Sequence, residues 1–458
     1  MSGHGPRPRA ADVGLAVLGI SAAVAAITLL DRLGVFTTRP GPLYALGLLS
    51  LAGLVGGQAA ALVGLPRLTG YLLAGVLAGP QLGGLVGKDD VKALGLVNAL
   101  ALALIALQAG AEVTLPVLAR IARSLAFAAL TQVTIVVGGS ALVFALLADF
   151  IPFLDGLSPS AIAAVAALWG VFAFTRSPSV TLAVLAETRA KGPMTEWALG
   201  LVVVLDVLVL PVFTAALTLA RAELDGQPFE PRVFLELSHE LWASVLAGIA
   251  GGVALGLLLK LRRLHGVLLV VVSSYAVTAL STYLRWDTLF VFVVIGFVAS
   301  NVIGSGPRVL AAAETTSGAV FVVFFALAGA KLDLGALTST WPVALALVAA
   351  RTVTTFVACR IGHRLARDPE AVRKNGWLAL ISQAGVTIGL ASIAGDLLPG
   401  IGRPLASLVI AVVGIHELIG PITLRLGLQR AGELPGGDGD GDGGAHDPSA
   451  ARDDHAHA

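Results

Sequence analysis

Residues 199–213 read LGLVVVLDVLVLPVF. Seven apolar or small residues stand on each side of Asp206. A run of this kind belongs inside a bilayer, where an ionised group is costly unless it is paired or hydrated. A carboxyl in low dielectric can take up a proton near neutral pH, and it can also bind a desolvated cation. One site that accepts either a proton or a metal ion, never both, is the minimal chemistry of exchange. The bland reading is a neutral buried aspartate bonded to a neighbouring helix.

The rest of the chain agrees with a membrane setting. Of 458 residues, 56% are hydrophobic and only 13% are charged, about half the share usual for soluble domains. Mean hydropathy is +0.88. Net charge is +1, so no nucleic-acid footprint is visible. The lone Cys359 excludes an intrachain disulfide and any cysteine-based metal cluster. Solid apolar runs rather than alternation predict an all-α polytopic protein, not a barrel.

Runs interrupted by charge, Pro or Gly predict about fourteen spans: 11–30, 43–63, 68–87, 93–110, 122–148, 159–187, 195–220, 238–260, 265–283, 288–304, 311–331, 341–364, 376–395 and 403–425. The first follows a basic start but is longer than a signal-peptide core and lacks a clear cleavage site, so it reads as a helix. Alternate connections hold 18 and 9 Lys or Arg residues. That bias predicts both termini in the cytoplasm and an even number of spans. The domain division is an N-terminal extra helix and linker (1–42), a transmembrane domain (43–425) and a cytoplasmic tail (426–458). From Gly436 the tail has almost nothing to bury, which predicts disorder.

Two spans carry breakers at mid-depth. Pro178 follows Thr175, Arg176 and Ser177, and Gly385 follows Ser382 and Gln383. Backbone groups freed there are tolerated only in protein or at a wet cavity. The two spans stand seven apart, so they cross in opposite directions, as in inverted repeats with paired broken helices meeting at mid-membrane. Ordinary kinks are the alternative. Arg351 also lies mid-span and must meet an acid, helix-end carbonyls or water.

These residues carry a family resemblance. GYLLAGVLAGP (70–80) resembles the second-helix signature of monovalent cation:proton antiporters, in the branch with bacterial sodium/proton exchangers and glutathione-gated potassium efflux proteins. LIALQAGAEVTL (104–115), TRSPSV (175–180), Asp206, FFALAGAKLDLGAL (324–337), Arg351 and SQAGVTIGLA (382–391) follow in family order. The resemblance implies exchange of sodium or potassium for protons by an elevator-type homodimer in the cytoplasmic membrane. Asp206 would alternate between proton and cation. Thr175, Ser177, Ser382 and Gln383, with freed carbonyls, would complete the cation's shell. Arg351, Arg176 and Glu417 would balance charge, with Glu417 pairing with Arg351 or orienting the core. No cofactor and no resident metal are expected, and no Ser/His or metal constellation suggests an enzyme.

Three departures from the family pattern stand out. Leu205 replaces the polar residue that often precedes the transport aspartate. Arg176 occupies the first break, where members carry a neutral or acidic residue. It would either reach toward Asp206 and compete with the cation, or snorkel to water at the span's cytoplasmic end. The sequence as it stands also lacks the nucleotide-binding domain of gated potassium efflux members. Leu205 and Arg176 motivate an alternative, a family scaffold that carries another small solute or acts as a sensor.

Smaller signals read blandly. His416 suits a satisfied core histidine, and Glu112 and Asp333 suit solvated caps. Asp438, Asp440, Asp442 and Gly443 begin a calcium-loop pattern that fails at Ser449. His446, His455 and His457 would at most hold a transition metal weakly.

Overall fold

The computed structural model describes residues 41–435 apart from 226–230, 262–264, 285, 287, 333, 384 and 399. The span expected at 11–30, Asp333 and the tail from Gly436 lie outside the described residues.

Apolar composition turns into helix throughout. The chain begins with α1 (Pro42–Leu62), α2 (Arg67–Ala78), the short α3 (Lys88–Ala93) and α4 (Gly95–Glu112). Next, α5 (Leu115–Thr131) passes through a π-helical turn (Gln132–Val137) into α6 (Gly138–Leu146). The first broken helix is α7 (Pro159–Phe174) plus α8 (Pro178–Thr188), and Asp206 lies on α9 (Pro193–Asp225). Then come α10 (Pro231–Lys260), α11 (Gly266–Leu284), α12 (Thr288–Asn301), α13 (Gly306–Lys331) and α14 (Leu334–Ala366). The second broken helix joins α15 (Glu370–Asn375), a 3-10 turn (Gly376–Leu380) and α16 (Gly385–Leu397); α17 (Gly402–Arg430) follows.

The chain is a multi-pass membrane protein, and each expected stretch from 43 onward overlaps a helix. Among the described residues, nine helical spans are long and apolar enough to cross a membrane. The number rises to eleven if two bent pairs count as one span each: α13, bent by 59° between Thr316 and Gly318, and α15–α16, bent by 45°. The expected fourteen is not reached by this measure. Two of the expected spans, α2 and α12, have only 12 and 14 residues, short of the roughly 20 that a bilayer core requires.

The helices sort into two bundles. One contains α1, α2, α4 and α10 to α13; the other contains α5 to α9 and α14 to α17. They meet where α2 and α4 touch α8, where α2 touches α17 and where α9 touches α10. Glycine decides how α2 fits. A methyl added at Gly70 would lie 2.1 Å from the Gly56 carbonyl oxygen on α1, and one at Gly75 would lie 1.9 Å from that of Ala326 on α13. The 70–80 signature is thus a helix wedged between two backbones, which only small residues permit.

The folded chain continues past the expected boundary at 425. Helix α17 runs to Arg430, and Gly432 turns the chain in the left-handed region (φ 72°). Buried Glu433 then returns to the start of α9, accepting from the Met194 and Thr195 N–H groups at 2.7 and 2.8 Å.

Candidate cation site at two helix breaks

The first break follows from Pro178. Proline lacks an N–H and drives its predecessor into extended backbone. Ser177 is extended accordingly (φ −108°, ψ 103°), and its Oγ caps α8 by accepting from Val180 N at 3.2 Å. Pro178 is therefore the first residue of α8, a position it favours. The second break contains no proline; its 3-10 turn ends at Leu380 and α16 starts at Gly385.

The two breaks are joined by side chains. The hydroxyls of Thr175 and Thr387 lie 2.6 Å apart. Gln383 Nε2 donates to the Phe172 carbonyl at 2.7 Å and to Thr175 Oγ1 at 3.1 Å. Those bonds use both amide hydrogens and fix the amide's orientation. Gln383 Oε1 remains buried without a partner among the described residues. Gln383 belongs to the wall of a small space of about 10 Å³, shared with Trp169, Phe172, Arg351 and Thr387. That is room for about one water-sized guest.

Arg351 holds both breaks from α14. Its Nε donates to the Ala173 carbonyl (2.9 Å), Nη1 to Ile381 (2.7 Å), and Nη2 to Thr175 (3.0 Å) and Leu380 (3.3 Å). These carbonyls close α7 and the 3-10 turn, where partial negative charge accumulates and a cation is favoured. Of the partners left open by sequence, helix-end carbonyls are the ones observed.

Arg176 follows neither expected path. It is 1% exposed, so it does not snorkel to water. Nη1 donates to the Ala173 and Thr175 carbonyls (both 2.9 Å), and Nη2 to Gln132 Oε1 (2.7 Å) and Thr355 Oγ1 (3.2 Å). Its four terminal N–H hydrogens are thus engaged. The π-helical turn presents Gln132 to it. Carbonyls expected to serve a cation at Ala173, Thr175, Leu380 and Ile381 are therefore occupied by guanidinium groups.

The other nominated residues spread around this crossing. Asp206 is half-buried on α9, which packs on α7, α8 and α16. Ser177 serves as the α8 cap and lies 3.1 Å from Ser179 Oγ. Ser382 is buried with its Cβ against Gly420 on α17. Glu417 is buried on α17, and the charge acting on it is Lys331 at the end of α13. His416 is fully buried on α17, with the Val412 backbone one turn earlier as its hydrogen-bonding neighbour.

A second cavity, of about 1240 Å³, lies between the bundles. Its walls include Glu112 on α4, Glu314 on α13, Arg189 after α8, Gly200 on α9, and Glu433. Glu112 is half-buried and accepts from Gln108 Nε2 at 2.9 Å, so it is a cavity-wall group rather than a solvated cap. Six residues separate Gly200 from Asp206, about 9 Å along a helix. The cavity therefore approaches the Asp206 level along α9.

With this geometry in place, comparison with known proteins is decisive. The family model described as sodium/hydrogen exchanger, transmembrane, matches residues 47–430. The chain belongs to the sodium/hydrogen exchanger family. Solved structures of the sodium proton antiporter MjNhaP1 from Methanocaldococcus jannaschii share its fold. One, at pH 8, has a TM-score of 0.64 and 15% identity, covering 86% of this chain and 99% of that one. The other, from electron microscopy, has a TM-score of 0.69 and 15% identity, covering 86% and 98%. No curated protein matches.

Within this exchanger-family scaffold, sequence reading missed three contributors: Gln132, Thr355 and Thr387. Gln132 carried a usable signal, since TQVT (131–134) is a polar patch inside an otherwise apolar span. Thr355 and Thr387 carried none, because lone threonines are ordinary in membrane helices.

Proposed function

We propose that the protein exchanges sodium or potassium for protons across the cytoplasmic membrane, with Asp206 as the alternating carrier. The observation that carries this reading is Gln383 Oε1. It is a fixed acceptor, unpartnered among the described residues, at the meeting of two broken helices, where Gln383 lines a water-sized space. The helix bearing Asp206 packs on all four half-helices at that crossing. With the backbone carbonyls taken by Arg176 and Arg351, the cation's shell comes from Asp206, Gln383, Thr175, Thr387 and retained water. Ser177 and Ser382 contribute by shaping the breaks.

The two-bundle arrangement with a cavity between them supports elevator-type movement, in which α5–α9 and α14–α17 carry the site as one body. We assign a homodimer formed through the other bundle. The Lys/Arg bias places both termini, and the cavity mouth beside Arg189 and Glu433, in the cytoplasm.

The test is the pH gradient in everted vesicles on adding Na⁺, K⁺ and Li⁺ in turn. Asp206→Asn abolishes cation-driven proton movement while expression and assembly persist; normal exchange by that variant removes Asp206 from the mechanism. Competition at one carboxylate also weakens apparent cation affinity as pH falls, by up to about tenfold per unit. An affinity flat from pH 6 to 9 contradicts a shared site.

A further inference from the structure

The pair formed by α5–α6 and α14 carries an apolar track and a basic head that the exchange site does not use. The helices run antiparallel with their backbones close. A methyl added at Gly362 on α14 would lie 2.7 Å from Thr131 Oγ1 and 3.3 Å from Ala128 Cα on α5, and one at Gly139 on α6 would lie 2.7 Å from Thr354 Cγ2. Beside this contact, Val353, Val357, Ile361 and Leu365 of α14 are exposed, one per turn of helix. Ala126 and Leu130 are exposed on α5. From Val353 to Leu365 the helix rises about 18 Å. That is close to one leaflet's half of a hydrocarbon core of about 30 Å.

The track ends in arginines. Arg364 is exposed in the last turn of α14, and half-buried Arg360 lies one turn before it. Arg123 comes across from α5. Its Nη2 donates to the Leu365 carbonyl at 3.2 Å, and its guanidinium stands 5.8 Å from the centre of the Phe127 ring. The bond to Leu365 places Arg123 next to Arg364. Acids at this end are engaged elsewhere. Asp368 accepts from Ser124 Oγ at 2.7 Å and lies 2.6 Å from His363 Nδ1. Glu196 pairs with Arg120, and Glu370 with Lys374 at 2.5 Å. Among the described residues, Arg123, Arg360 and Arg364 form no ion pair. Like charges gathered in this way repel one another, and an anion among them relieves the repulsion.

We propose that this seam holds an anionic phospholipid, its phosphate bound by Arg123 and Arg364 and one acyl chain lying along α14 from Leu365 to Val353. Guanidinium binds phosphate through paired N–H···O bonds. Basic pockets between membrane helices suit anionic headgroups, whose charge is not cancelled by a cation of their own. A soluble phosphate would use the arginines and leave the track bare. A zwitterionic lipid would use the track and bring a cation to the arginines. Arginines at the head of an apolar track one leaflet long select a lipid with a net negative headgroup, such as phosphatidylglycerol. Arg351 and Thr355, on the buried side of the same helix, belong to the helix breaks, so the lipid and the exchange site use different faces of α14. The inference needs the membrane setting and not the exchange reading.

The test uses purified full-length protein in detergent. Melting temperature is followed as phosphatidylglycerol, phosphatidylcholine or soluble glycerol phosphate is added, and retained lipid is counted by native mass spectrometry. Phosphatidylglycerol raises the melting temperature and is retained; the other two do neither. Loss of one guanidinium weakens apparent lipid affinity about fivefold, and Arg123→Gln with Arg364→Gln weakens it by more than about tenfold. Arg364→Gln is the cleaner single change, because Arg123 also holds the Leu365 carbonyl. Ile361→Gln weakens lipid retention with both arginines in place. Arg373→Gln with Arg430→Gln removes the same charge from exposed positions at the same end and leaves affinity unchanged. An equal loss in that control pair means diffuse attraction and overturns the site. So does stabilisation by glycerol phosphate as strong as by the lipid, or retention that survives the Arg123 and Arg364 changes. If the double variant does not fold, Arg364→Gln and Ile361→Gln decide between the same outcomes. Absence of exchange in vesicles with lipid retention intact defeats the proposed function and leaves this site standing.

Discussion

The two helix breaks do the same job by different means. The first is written into its own residues: Pro178 forbids continuity and Ser177 caps the next helix. The second has no proline, and its carbonyls are claimed from outside by Arg351. One break is local chemistry and the other is tertiary. A locally encoded break survives the loss of a distant partner better than an imposed one, and substitutions can measure the difference.

The largest effect falls on Arg351, which serves both breaks. Arg351→Gln removes four donations to carbonyls at once. Removing one side of a buried charged network costs on the order of 3–5 kcal/mol. We expect a sharp drop in thermal stability in detergent and loss of exchange. Arg351→Lys rescues poorly, because an ammonium cannot fork to carbonyls on both sides. A variant as stable as the wild type breaks the comparison, since the second break would then hold itself.

Arg176 is the intermediate case, because it serves the first break alone. Arg176→Ser frees Gln132 Oε1 and Thr355 Oγ1, while Arg351 still covers the Ala173 and Thr175 carbonyls. The expected cost is about 1–3 kcal/mol, read as a melting shift clearly smaller than for Arg351→Gln. Exchange persists rather than appears, since the guanidinium was not blocking the carrier. Equal losses for the two arginines erase the asymmetry. A gain of exchange in Arg176→Ser restores the occluding-arginine idea.

Legibility in the sequence followed the same division. Helix existence was readable because apolar runs of bilayer length leave few other solutions. Ends were less so: the stretch expected from 341 begins at Leu334, in residues too polar to stand out. Pro178 announced the first break, and Asp206 stood out as the proposed carrier, since each violates a strong local rule. The direction of Arg176 was unreadable. It depends on a π-helical turn, which no local pattern marks, delivering Gln132 from a separate helix.

The smallest effect is the most pointed, because it tests the residue credited with the second break. Gly385 looked like the breaker, yet it is the first residue of α16 and a methyl added there meets nothing within 4 Å. Its φ lies outside the left-handed region, so no strain follows from a side chain. Alanine favours helix over glycine by about 0.5–1 kcal/mol in helix interiors, and less at a first position. Gly385→Ala should therefore leave stability within about 0.5 kcal/mol of the wild type. Exchange should be nearly unchanged, because Arg351 and Gln383 still hold the break. If the substitution instead abolishes exchange while the protein melts normally, the opening of the second break depends on glycine's freedom during the transport cycle. The contrast with Pro178 would then be one of rigidity against mobility rather than of local against tertiary origin.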